Sequence, residues 1–160
     1  AEVVSNLARN IDLQIDTNGT VIVDDVDATI EIRGPEVTRA VSIVAANPDV
    51  RKEMRARQRQ WVAKRGGGVM EGRDIGSVVL PNANFKIFIT ANDDVRAKRR
   101  ARQIDSNEND VLVAQRKRDL LDSSRKVSPL VIPDGAVVLD NSELDFEESV
   151  EKFIEIVSNK

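Results

Sequence analysis

Gly68-Val69-Met70-Glu71-Gly72-Arg73-Asp74-Ile75-Gly76 is the stretch on which the fold turns. Its apolar start, residues 68–70, predicts a buried strand. Two carboxylates and an arginine follow at once, set among glycines. In open α/β sheets ligands bind beyond the carboxyl ends of strands, where backbone N–H groups and loop side chains converge. Downstream the pattern alternates. Strands are predicted at 86–90 and 136–140, and helices at 93–103, 110–122 and 145–158. Such alternation argues for a parallel sheet covered by helices. Between the first two of these helices, residues 104–109 are polar and aperiodic and read as a mobile loop.

Upstream the style differs. Ile11-Asp12-Leu13-Gln14-Ile15-Asp16 alternates apolar and polar, Asn18-Gly19 supplies a turn, and Val21-Ile22-Val23 returns. This is a hairpin signal. Another short strand is predicted near 28–32. Pro35 and Pro48 suit the first turns of helices reaching about residues 46 and 65. Residues 11–65 therefore read as a three-stranded antiparallel sheet with two helices, and 66–160 as a core domain. Residues 1–10 read as the end of a core helix with no strand before it. Three parallel strands are few for an α/β core, so an opening β-α segment is expected to be missing from the chain as given.

Composition excludes much chemistry. The 160 residues contain neither cysteine nor histidine, which removes thiolate and Ser-His nucleophiles, disulfides and zinc sites built from sulfur or imidazole. No metal site is predicted. No stretch approaches 18 apolar residues, and a cytoplasmic, monomeric protein is the expectation. The net charge of −3 is unevenly spread. Residues 51–65 hold seven Lys/Arg against Glu53, and 96–102 hold five with no acid, while both ends are acidic. A basic centre attracts phosphates; each run alone also fits a solvated helix face.

A second island, Arg118-Asp119-Leu120-Leu121-Asp122-Ser123-Ser124-Arg125, spaces Arg118, Asp122 and Arg125 at i, i+4 and i+7. On a helix these share one face, whereas Asp119 points off it. Arginine forks suit phosphate oxygens, and an acid between them can accept from hydroxyls. The same spacing also fits a surface ladder of ion pairs.

Ser42, Arg51, the 71–76 motif, Lys86-Ile87-Phe88-Ile89, Arg99-Arg100 and the run 118–129 ending in Val127-Ser128-Pro129-Leu130 together resemble the bacterial cytidylate kinase family, in order and nearly in spacing, over about residues 1–157. The resemblance implies a P-loop nucleoside-monophosphate kinase fold: a parallel-sheet α/β core with helices on both faces, an inserted α+β monophosphate-binding domain at 11–65, and a short lid at 99–118. It implies phosphoryl transfer from ATP to CMP or dCMP, with Mg²⁺ carried on ATP and CMP bound between that domain and the core. It assigns Ser42, Arg51 and Asp74 to the cytosine edge, and Arg73 and Arg125 to the CMP phosphate. Arg118 and Asp122 face the sugar and phosphates. Arg100, Arg99 and Arg118 are the catalytic candidates that neutralise charge on the transferring group.

The chain departs from the family at its start, where nothing matches G-x-x-x-x-G-K-[ST], and Gly66-Gly67-Gly68 is no substitute. The lid also looks a few residues short. A polypeptide made only of these residues is expected to bind CMP poorly and transfer no phosphate. Smaller ambiguities stay open. Asp74 can cap the segment after it, Ser42 can be a small packing residue, and Glu71 can orient either Arg73 or a metal-bound water. Trp61 reads as a packing residue rather than a base platform. Two other functions compete with the kinase: a basic nucleic-acid-binding module, weakened by 3% aromatic content and no tyrosine, and a non-catalytic nucleotide-binding fragment.

Overall fold

Asn18-Gly19 reverses the chain as its sequence requires. The Asp16 carboxylate accepts the Asn18 and Thr20 N–H groups, both at 2.8 Å. Those bonds, Thr20's foremost, hold its pKa below the usual carboxylate value. Strand β1 (Leu13–Ile15) then pairs antiparallel with β2 (Val21–Val23), Leu13 opposite Val23 and Ile15 opposite Val21. The third strand, expected near 28–32, lies earlier: β3 is Val26–Asp27, and Glu31–Arg33 form a 3₁₀ turn. The reason is local. Asp24 and Asp25 adopt left-handed backbone (φ 47° and 66°), which closes a two-residue turn directly after β2. The Asp27 carboxylate then accepts the Thr29 N–H at 2.9 Å and bends the chain out of the sheet.

The computed structural model describes residues 2–159 and divides into two units, one ending at Gly68 and the other starting at Val69. Ala1 and Lys160, the outermost residues of the expected first and last segments, lie outside the described residues. In the first unit, helix α1 (Glu2–Asn10) packs on α3 (Pro48–Arg65), and α2 is Pro35–Val44. Both prolines begin helices, where a missing N–H costs nothing. Asn47 caps α3 by accepting the Asp49 N–H at 3.0 Å. Much of the basic run on α3 works inside the unit. Arg57 donates to the Ile11 and Arg9 carbonyls at 2.8 and 2.9 Å. Arg65 donates to the Ile15 carbonyl and stacks 4.2 Å over the Trp61 ring. Trp61 is thus part of the packing.

In the second unit, β4 (Ile87–Thr90) and β5 (Val137–Asp140) run parallel, Ile87 opposite Val137 and Thr90 opposite Asp140. Helices α4 (Asp93–Ile104) and α5 (Glu108–Ser123) form a hairpin, and α6 (Phe146–Ser158) packs on β5. The fold is mixed α/β with a parallel sheet and several helices, as the sequence implies. Two expectations are corrected. Residues 68–70 form no strand: Gly67 and Gly68 have φ of 142° and 150°, Val69 is 87% exposed, and among the described residues no strand pairs there. Without a ladder partner an apolar run gains nothing from extending. The strands at 86–90 and 136–140 exist, but Ile89 and Val138 are half exposed rather than buried.

The segment read as a mobile loop at 104–109 is a three-residue helix connection instead. Asp105 ends α4 in left-handed backbone, and the Asn107 side chain caps α5 by accepting the Asn109 and Asp110 N–H groups. Ala97 and Ala101 on α4 pack against Val111 and Leu112 on α5, closing the hairpin with small residues. Polarity without periodicity described two caps meeting, which local sequence reading takes for a loop.

Candidate functional site

Asp122 is the only side chain among the described residues that is both large and fully buried. A lone carboxylate does not survive burial, because desolvation far exceeds what hydrophobic neighbours return. Three arginines converge on it. Arg73 approaches from the loop before the π-helical turn Ile75–Val79, and Arg125 from just beyond the end of α5; both are in ion-pair contact with it. Arg118, one turn back on α5, lies 3.6 Å away. Arg125 itself is only 10% exposed. The chain after α5 is folded back by a bond from the Leu130 N–H to the Asp122 carbonyl at 2.9 Å, through Ser128 in left-handed backbone. That return holds Arg125 against the helix it has just left.

The arrangement differs in one respect from simple helical spacing. Arg118, Asp122 and Arg125 do meet, but α5 ends at Ser123, so a loop rather than the helix delivers Arg125. Asp119, expected to point off the face, is also in ion-pair contact with Arg73. Its other oxygen meets Arg96 of α4 at 2.9 Å. Arg96 continues to Asp93 at 2.5 Å, and Asp93 to Arg116 at 2.9 Å. Hydrogen bonds from Arg96 and Arg116 hold the Asp93 carboxyl below its ordinary pKa. Burial works against the Arg96 charge, but the bonds to Asp93 and Asp119 outweigh it and raise that pKa. Sequence spacing held the signal for Asp119: it stands three residues from Asp122, on a neighbouring helical position that one long arginine can bridge.

Arg73, Arg96, Arg118 and Arg125 set four guanidinium groups against the two carboxylates of Asp119 and Asp122. The excess of two positive charges suits an anion near −2, such as a phosphate monoester at neutral pH. Asp74 begins the π-helical turn through its carbonyl, which accepts the Val78 N–H at 2.9 Å; its side chain does not cap that turn. Ile75 and Val79 are buried beneath it, and Gly76 packs so closely on Pro133 that a Cβ would lie 2.9 Å from the ring.

Arg99 and Arg100 are engaged outside this cluster. Arg99 donates to the Asn141 and Leu144 carbonyls, each at 2.8 Å, and so ties α4 to the β5–α6 connection. Arg100 donates to Gln103 at 2.7 Å on an exposed face. In the first unit, half-buried Ser42 lies on α2, and Arg51, on α3, donates to the Ala45 carbonyl at 3.1 Å. A pocket of about 500 Å³ lies between the sheet and α6, lined by Ile89, Leu139, Phe146, Val150 and Phe153. Most of its lining is apolar, Arg99 borders it, and it does not include the arginine cluster. Among the described residues no group of three or more acidic side chains gathers to hold a metal, and no helix is long and apolar enough to cross a membrane.

Comparison with known proteins gives one consistent result. The family model described as cytidylate kinase matches residues 1–159. A protein named cytidylate kinase from Caldanaerobacter subterraneus subsp. tengcongensis is 40% identical over 161 residues, covering 98% of this chain and 71% of its own. One of that name from Geobacillus sp. (strain WCH70) is 47% identical over 145 residues, covering 88% and 64%. One from Bacillus cereus (strain B4264) is 45% identical over 163 residues, covering 98% and 71%. The chain thus spans about two thirds of the length of these relatives.

Proposed function

The chain belongs to the cytidylate kinase family, whose members are nucleoside-monophosphate kinases, and from that premise we propose that the full-length protein transfers a phosphoryl group from ATP to CMP or dCMP. The observation that carries this reading is the convergence of Arg73, Arg118 and Arg125 on buried Asp122. In our assignment Arg73 and Arg125 take the CMP phosphate. Arg118 and Asp122 meet the sugar and its hydroxyls, while Asp74, Ser42 and Arg51 read the cytosine edge. Residues 11–65 serve as the monophosphate-binding part and 99–118 as the lid, with Arg99, Arg100 and Arg118 offsetting charge on the transferring group.

The chemistry asks little covalent work of the protein. Phosphoryl transfer rests on positioning two nucleotides and neutralising charge. Arginine forks do both, because bidentate donors fix the acceptor phosphate while their charge lowers its repulsion toward the incoming group. Mg²⁺ is assigned to ATP, where it neutralises phosphate charge. The basic nucleic-acid module is the weaker reading, since Arg57 and Arg65 are engaged by internal carbonyls. Cytoplasmic, monomeric protein completes the assignment.

A coupled assay of ADP release by the full-length protein tests it, with CMP, dCMP and UMP as acceptors. Asp74 accepts hydrogen bonds only and so prefers the 4-amino group of cytosine. Asp74→Asn should reduce CMP-over-UMP discrimination by roughly 5- to 150-fold, the worth of one mispaired polar group at about 1–3 kcal/mol. Undiminished discrimination would remove Asp74 from the base, and absence of CMP-dependent turnover would end the kinase reading.

A further inference from the structure

Arg73 is held by two carboxylates at once, and only one of them belongs to the proposed substrate set. Asp122 faces the sugar in the assignment above. Asp119 has no such role, yet it contacts Arg73 through one oxygen and Arg96 through the other at 2.9 Å. A carboxylate shared between two guanidinium groups fixes both, because moving either one breaks a charge-assisted bond. Asp119 is one-quarter exposed and Arg73 and Arg96 about three-tenths, so the bridge is shielded from water on most sides.

Geometry makes the bridge directional. Arg73 rises from the loop before Ile75, whereas Arg96 belongs to the first turn of α4, just before the segment 99–118 that we assign to the lid. Asp119 on α5 lies between them. Arg96 is itself anchored to Asp93, and Asp93 to Arg116, so the chain of ion pairs runs from Arg73 through the first turn of α4 and back to α5. If Asp119 were removed, Asp122 alone would hold Arg73, and any substrate group drawing on Asp122 would leave Arg73 without a fixed orientation.

We propose that Asp119 is a positioning residue: it presents the Arg73 guanidinium to the acceptor phosphate and couples that orientation, through Arg96, to the α4–α5 hairpin. The inference rests on the kinase reading, and specifically on Arg73 as a ligand of CMP. It assigns to Asp119 and Arg96 a part in acceptor recognition that acts through Arg73.

The test is steady-state kinetics of the full-length protein, varying CMP and ATP separately. Asp119→Asn, which keeps shape and loses charge, should raise KM for CMP about tenfold and leave KM for ATP unchanged. Asp119→Glu should recover part of that loss. Arg96→Gln, which cuts the same link from the other side, should act in the same direction by a smaller factor. In an Arg73→Lys background Asp119→Asn should add less than about a twofold effect, since its partner's fork is gone. A purely structural role predicts the opposite: a lower active fraction, hence reduced kcat, with KM for CMP unmoved and effects that multiply. That outcome would overturn the proposal while sparing the kinase reading. If Arg73→Lys itself left KM for CMP unchanged, the assignment of Arg73, and with it this inference, would fall.

Discussion

Replacing Asp122 with alanine tests the arginine cluster without reference to turnover. The carboxylate is fully buried and touches Arg73, Arg118 and Arg125. Removing one partner of a buried pair costs about 3–5 kcal/mol, because the remaining charge is left uncompensated out of water. The three arginines do not count equally. Arg118 is 43% exposed and 3.6 Å away, so water replaces its partner and its share is about 0–1 kcal/mol. Arg73 retains Asp119. Arg125, 10% exposed, is the group left stranded. The expected loss is therefore about 3 kcal/mol, or about 6–12 °C in Tm for a chain of this size. Thermal unfolding should be followed by circular dichroism, because the single tryptophan, Trp61, reports the first unit. A distinctive sign accompanies the loss. Three arginines without their acid form a better anion site, so phosphate at about 100 times its Kd should restore about 2.7 kcal/mol to the variant. A loss under about 1 kcal/mol, or no greater rescue by phosphate than in the unmodified protein, would refute the view of a buried, charge-dependent cluster. The same variant should lose more affinity for CMP than for dCMP; equal losses would remove the ribose role.

Two further outcomes follow from local geometry. Asp93 titrates below its ordinary 3.8 because Arg96 and Arg116 bond its charged form. Its contribution to stability is thus present above that pH and disappears as pH falls through the depressed folded value. Asp93→Asn should lower the urea midpoint near pH 7 and match the unmodified protein once pH falls below the depressed folded value; a gap that persists there would mean the effect is not ionic. Gly76→Ala forces a Cβ to within 2.9 Å of the Pro133 ring and 3.4 Å of Lys86 Cδ. Overpacking of that kind costs about 1–3 kcal/mol, and a Tm equal to that of the unmodified protein would show that the loop at Pro133 yields freely.

What could be read from the sequence was what short-range rules govern. The hairpin at Asn18-Gly19, the two proline-started helices and the parallel pair at 87–90 and 137–140 all follow from turn chemistry, capping and period. The failures share a cause. Residues 68–70 are apolar enough for a strand, but strands form by pairing and periodicity carries no partner. The stretch at 104–109 looked aperiodic because two helix caps abut there, and a cap is polar for the same reason a loop is.

Asp119 shows where a single-element reading must stop. Helical spacing put Arg118 and Asp122 on one face and set Asp119 aside, since only contacts along one helix were weighed. Its partners come from elsewhere: Arg73 stands 46 residues earlier, and Arg96 lies on the neighbouring helix. The Arg73 guanidinium bridges Asp119 and Asp122 on α5, and Arg96 ties Asp119 to Asp93 on α4, so the relevant unit is not a face but the gap between two acids three residues apart. A sequence displays that gap plainly. Which arginines fill it depends on the return loop after α5 and on the α4–α5 packing through Ala97, Ala101 and Val111. Small residues at that contact bring the helices close, and closeness is what lets Arg96 reach across to Asp119. The charge network is therefore a consequence of alanine positions as much as of arginine positions, and enlarging Ala97 should loosen the Arg96–Asp119 bond before it disturbs Asp122.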